Sequence, residues 1–116
     1  MSFMEFKLFD SHCHLYMPQF DADRAQVLAG MQEAQMGAVV IGVDYESSAK
    51  ALELAQAHDF LWSSVGLHPN DNVDEVFDIS NSEVLARHAK VVAIGECGFD
   101  YFRQEPSADE KQRQRE

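Results

Sequence analysis

Cysteine and basic residues are scarce in this sequence, and long apolar runs are missing. Two cysteines, Cys13 and Cys97, in 116 residues cannot build a disulfide framework, which fits a reducing compartment. Nine Lys and Arg stand against twenty Asp and Glu, a formal net charge of −11. Affinity for phosphate backbones comes mainly from Lys and Arg, so a protein that coats nucleic acid nonspecifically is excluded. Local phosphate chemistry remains open, because bound divalent cations would reverse the field at one site and attract an anionic substrate there. No apolar run approaches the roughly 20 residues that cross a bilayer, and no basic region followed by an apolar core opens the chain. The expectation is a cytoplasmic protein without membrane association. No residue-level repeat is evident either.

What is present is the ordinary mixture of a globular protein, 46% apolar and 25% charged. The length suits one modest domain over residues 1–116 with a real core, and not two. Apolar runs and helical spacings alternate along it. Phe6 to Asp10 reads as a first strand; Asp21 or Asp23 caps a helix carrying Val27, Leu28, Met31 and Ala34, with Gly37 as its stop. Ala38 to Val43 is a continuous apolar run, as in strands buried on both faces of a parallel sheet. Ser47 and Ser48 open a second helix through about His58, Phe60 to Val65 forms a third strand, and Asn81 or Ser82 starts a third helix. Val91 to Gly95 is the fourth strand, and Ser107-Ala108-Asp109-Glu110 has the spacing of a capping box. This rhythm predicts an α/β fold with a parallel sheet, right-handed crossovers and helices outside, the fourth helix incomplete at Glu116.

The chemistry-bearing residues fall at the strand ends. Leu8-Phe9-Asp10-Ser11-His12-Cys13-His14-Leu15 ends an apolar run in metal-binding side chains. Alternation along a strand sends His12 and His14 to one face and Cys13 to the other. Two imidazoles at that spacing can hold a divalent cation; as a bare pattern they can equally be turn or core histidines. His68 follows the third strand and Glu96 the fourth, while the second delivers Asp44 to the same edge. In parallel α/β folds, sites assemble at that carboxyl edge.

These blocks resemble the TatD-type metal-dependent hydrolases, the TatD-family deoxyribonucleases. Residues 8–15 look like the family's opening signature, Gly66-Leu67-His68-Pro69 its third-strand turn, and Gly95-Glu96-Cys97-Gly98-Phe99-Asp100-Tyr101 its fourth-strand motif. Tyr16 stands where the family pattern usually has Asp or Asn. The resemblance implies a partial (β/α)8 TIM-type barrel, about its first four βα units. It also implies a site for divalent ions (zinc, magnesium or manganese), two per complete site. His12 and His14 would ligate one ion and Glu96 would bridge both, activating water against a phosphodiester, with DNA ends or single strands as substrate. A related amidohydrolase or phosphoesterase is the neighbouring reading.

A complete barrel needs about 250 residues, and the family's remaining ligands, two histidines and an aspartate, lie on later strands. The chain alone is therefore expected to be incomplete and poorly active. Four strands of eight would expose an inner sheet face and an open edge, so self-association or a complementary half-barrel is expected. Before proline, His68 is held extended, suited to substrate contact or to a structural turn. Asp10 and Asp100 are candidates to orient the ligands, and Tyr101 to pack. Arg103 is expected to be a solvated loop residue rather than a phosphate contact. His58 and His88 read as structural, Cys13 and Cys97 as packed thiols that do not pair.

Overall fold

The computed structural model describes residues 4–102 and 105–116; Arg103 lies outside the described residues. The elements alternate as expected: β1 (Leu8–Cys13), α1 (Arg24–Glu33), β2 (Met36–Val40), α2 (Tyr45–Ala57), β3 (Leu61–Val65), α3 (Ile79–Ala86), β4 (Val91–Ile94) and α4 (Ala108–Arg113). The strands lie in the order β1-β2-β3-β4, every neighbouring pair parallel. This is a partial (β/α) barrel: each strand returns beside its predecessor through a helix.

Register decides which side chains share a face. Ala38 pairs with Leu61 and Val40 with Ser63, and Ala38, Val40 and Leu61 join Leu15, Leu28, Ala51, Ala55 and Phe60 in the core beneath the helices. The other face carries Val39 opposite Trp62 and Phe9 opposite Gly37. There the Phe6, Phe9 and Trp62 rings meet with centroids 5.6–6.0 Å apart. Phe9 is 51% exposed on this inner face. The edge strand β4 is likewise open, with Ile94 70% exposed.

Several local assignments differ from the sequence reading for identifiable reasons. Gly37 is not a helix stop but lies at the start of β2, where a Cβ would fall 2.7 Å from the Phe9 ring. The left-handed residue after α1 is Gln35, φ 54°. α2 begins at Tyr45 because Asp44 caps it: its carboxylate accepts the Ser47 N–H at 2.8 Å, and the Ser47 hydroxyl accepts the Asp44 N–H at 3.0 Å. α3 likewise starts early, on the Asp78 cap. Ser107 does cap α4, accepting the Glu110 N–H at 3.1 Å.

Candidate metal centre

β1 runs further than its apolar residues suggest, through Cys13, with a register irregularity between Asp10 and Cys13. Cys13 aligns with Val40 and packs on the helix-side core, which sends His12 and His14 to the inner face. The Asp10 carboxylate accepts the His12 backbone N–H at 2.9 Å and shapes the irregularity. Behind His14, the Arg24 side chain donates to the Leu15, Tyr16 and Met17 carbonyls at 2.7–3.1 Å, stapling the loop to α1.

The tautomer of His14 follows from its partners. Nδ1 lies 3.0 Å from the Ile41 carbonyl oxygen, which can only accept, so Nδ1 carries the proton and the Nε2 lone pair is left for a cation. The Tyr16 hydroxyl stands 3.1 Å from the same Nδ1. Burial pushes the Tyr16 phenol above its ordinary range; a Ser47 hydrogen bond opposes that, and the Asp44, Asp71 and Glu96 charges reinforce it.

Glu96 reaches this cluster through backbone packing. The Gly95–Glu96 peptide, which is cis, crosses over Gly66, where a Cβ would lie 2.3 Å from the Gly95 carbonyl carbon. Gly95 N–H donates to the Val65 carbonyl and Glu96 N–H to the Gly42 carbonyl, both at 2.8 Å. The buried Ser64 hydroxyl donates to the Gly95 carbonyl at 2.7 Å and accepts the Gly42 N–H at 3.3 Å. Two glycines and a serine thus let the end of β4 close over β3 onto β2.

The result is a His12, His14 and Glu96 group with one donor atom from each within 4.8 Å of the others. His12 Nε2 is 3.5 Å from Glu96 Oε2. Two donors on one ion stand at most about 4.4 Å apart, twice a bond of 2.0–2.2 Å, so small side-chain movements would seat a cation. Two imidazoles and a carboxylate suit borderline divalent ions. The residues present fit the implied metal.

His68 sits beside them, buried at 7%. Its N–H donates to the Val43 carbonyl at 2.7 Å, and its Nδ1 accepts the Asn70 N–H at 3.1 Å. Accepting at Nδ1 places the proton of the neutral ring on Nε2, which faces Glu96 Oε1 at 3.7 Å. The Asp71 carboxylate lies 3.4 Å from Nδ1, a contact that an imidazolium would strengthen. A groove of about 430 Å³ opens beside His68, bordered by Phe77, Gly98 and Arg113.

Of the remaining sequence candidates, Asp100 lies in the loop beyond Glu96, where its carboxylate accepts the Phe102 N–H at 3.0 Å. Tyr101 stacks on Phe99 at 6.1 Å, with the Lys111 ammonium 5.5 Å over its ring. His58 ends α2 against Phe60, and His88 pairs with Gln56 at 3.0 Å. Cys97 differs from the packed thiol expected: it is exposed and lines the groove, and both cysteines are free. Asp44 is engaged in capping α2 and also accepts from Asn72 at 3.3 Å. Sequence reasoning passed over Ser64, Asn70 and Gln114; of these only Asn70, directly after the Gly66–Pro69 block, stood beside a marked motif.

The chain forms part of a parallel (β/α) barrel with a His-His-Glu group at the C-terminal edge of its strands. The comparisons name the branch: residues 9–115 match the family described as TatD related DNase, and the chain belongs to that family. It is 38% identical over 96 residues to an uncharacterized metal-dependent hydrolase, YabD, of Bacillus subtilis, covering 81% of this chain and 38% of that protein. It is also 38% identical over 109 residues to the 3'-5' ssDNA/RNA exonuclease TatD of Pectobacterium parmentieri, covering 91% of this chain and 42% of that one. The crystal structure of YjjV, a TatD homolog from Escherichia coli K12, superposes with a TM-score of 0.74 at 31% identity over 93% of this chain and 42% of its own. The chain thus spans about two fifths of the length of these relatives.

Proposed function

We propose that this chain is the N-terminal part of a metal-dependent phosphodiester hydrolase, a nuclease that acts on DNA ends or single strands. The observation that carries it is the convergence of His12, His14 and Glu96, from opposite ends of the sheet, on one point. In this reading His12, His14 and Glu96 would be the residues of this chain that hold divalent ions, zinc, magnesium or manganese, two per complete site. When bound, such ions polarise a phosphoryl oxygen and bring water into its nucleophilic form near neutral pH. The Ile41 carbonyl fixes the His14 tautomer and Asp10 fixes the backbone of His12. His68, with its Nε2 proton toward the site, donates to a substrate phosphate oxygen. Asp100 supports the loop that carries Glu96. The single-stranded substrate class is carried over from the name of the Pectobacterium relative, and a cytoplasmic location is part of the proposal.

A second reading rests on the open edge of β4 and the uncovered inner face, where Ile94, Val92 and Phe9 are all more than half exposed. A complementary half-barrel, or a second copy of the chain, would cover both. A related amidohydrolase or phosphoesterase would use the same ligands on a different bond.

The test is a calorimetric titration of the chain with Mn²⁺ and with Zn²⁺, followed by digestion of single-stranded DNA by the whole barrel with and without chelator. His12→Ala combined with His14→Ala is expected to lose one metal position and turnover together. Unchanged metal stoichiometry in that variant would sink the assignment. Sedimentation of the 116-residue chain separates the second reading, since a stable metal-loaded monomer argues against a half-barrel that needs a partner.

A further inference from the structure

The two loops that carry His68 and Glu96 are gripped by a third element that contributes nothing to the metal cluster itself. At the end of α4, the Gln114 side-chain amide pairs with the backbone of a single residue. Its Oε1 accepts the Asp100 N–H at 2.8 Å, and its Nε2 donates to the Asp100 carbonyl at 3.1 Å. The same Nε2 lies 3.3 Å from Asn70 Oδ1, and Asn70 Nδ2 donates to the Asp100 carbonyl at 3.2 Å. One residue back, Arg113 donates to the Pro69 carbonyl at 2.5 Å while paired with Glu110 at 2.9 Å. Asn70 also gives its backbone N–H to His68 Nδ1. A continuous path therefore runs from Gln114 to the His68 ring on one side and to the loop following Glu96 on the other.

We propose that Gln114, acting with Asn70, is a positioning residue that locks the turn carrying His68 to the loop carrying Glu96. The inference rests on the reading of His12, His14 and Glu96 as a metal-holding group, and it adds the part that sets their spacing. A primary amide suits this duty because it presents one acceptor and two donors in a plane, matching the N–H and C=O of Asp100 together. The loop between Glu96 and Asp100 includes Gly98 at φ 127°, a backbone state that needs outside contacts to select it. Neither Gln114 nor Asn70 touches the cluster, so their effect must travel through the loops, as outer partners of metal sites do.

The experiment uses the 116-residue chain with Gln114→Ala, Gln114→Glu and Asn70→Ser. Gln112→Ala is the control, since its amide donates to Glu116 on the exposed side of the same helix. In metal-free protein, Gln114→Ala is expected to speed Asp100 amide exchange at least about tenfold and to shift the Glu96 amide and His68 ring resonances. Mn²⁺ affinity, read by calorimetry, should then fall about 10- to 100-fold. Gln114→Glu keeps the acceptor but turns a carboxylate oxygen toward two other oxygens, so it should show most of the same loss. Asn70→Ser leaves α4 intact and should move the His68 ring, which keeps the test decisive if Gln114→Ala unfolds the chain. Unmoved Glu96 and His68 resonances in Gln114→Ala or, if that variant unfolds, an unmoved His68 ring in Asn70→Ser would overturn the proposal. So would unchanged Mn²⁺ affinity in a chain that binds it. If the parent chain binds no Mn²⁺, the metal reading fails on its own, and the metal-free resonances still decide the positioning role.

Discussion

Replacing Gly66 by alanine should damage the candidate site. The added Cβ would stand 2.3 Å from the Gly95 carbonyl carbon and 2.6 Å from both the Glu96 nitrogen and the Gly95 oxygen. Ordinary carbon contacts begin near 3.5 Å, so the Gly95–Glu96 peptide would have to retreat by about 1 Å. That peptide is held by the Gly95 N–H to Val65, the Glu96 N–H to Gly42 and the Ser64 hydroxyl to Gly95, at 2.7–2.8 Å each. Loss of three bonds worth about 1 kcal/mol apiece, on top of overpacking at about 1–3 kcal/mol, gives a destabilisation of about 4–6 kcal/mol. A retreat of about 1 Å also takes the Glu96 carboxylate away from His12, at a cost on the order of 100-fold in turnover of the whole barrel. Thermal unfolding and Mn²⁺ titration read the two effects separately. Gly30→Ala is the control: nothing lies within 4 Å of its Cβ, and in mid-helix it should stabilise by about 0.5–1 kcal/mol. A Gly66→Ala chain with parental melting temperature and metal affinity would refute the account of how Glu96 is placed.

Three further outcomes follow from the structure. Burial alone would raise the Asp44 pKa, but the hydrogen bonds from Ser47 and Asn72 together lower it below 3.8; its contribution is therefore complete above pH 3.8 and lost as pH falls through the lower folded value. Asp44→Ala should cost about 1 kcal/mol at pH 7 in chemical denaturation, and the difference should vanish in strong acid. Burial first, and the Asp10 charge second, push the Cys13 thiol up to about 11, so iodoacetamide at pH 8 should label exposed Cys97 well before Cys13 in mass spectra. Ser63 Oγ is buried without a hydrogen-bond partner; Ser63→Ala should raise stability by about 1 kcal/mol, or about 4 °C in the melting temperature, and a lower melting temperature would contradict that.

Much of the fold was legible because its signals are local. Apolar runs, helical spacings and the Ser107 cap depend on neighbours a few residues away, and the alternation they form has one common solution in a parallel sheet. The misreadings share a cause. Gly37 has the composition of a helix stop, yet the Phe9 ring from a different strand claims the space its missing Cβ leaves. Ser47 has the composition of a helix opener, yet Asp44, three residues earlier, satisfies the helix start. Cys97 follows the alternation rule on paper, but β4 ends at Ile94 and the rule ends with it.

The candidate site divides in the same way. His12, His14, His68 and Glu96 could be named from sequence because their residue types and their places at strand ends are properties of short segments. Their meeting could not. It depends on the register irregularity in β1, on Gly66 and Ser64 letting the Gly95–Glu96 peptide cross to Gly42, and on Gln114 reaching Asn70 forty-four positions away. Those contacts join segments that are distant along the chain, and only the packing of the sheet brings them to hydrogen-bonding distance. Sequence by itself determined which chemistry the strand ends carry; the tertiary structure decided that it converges, because convergence is a matter of ångströms set by backbone close approach.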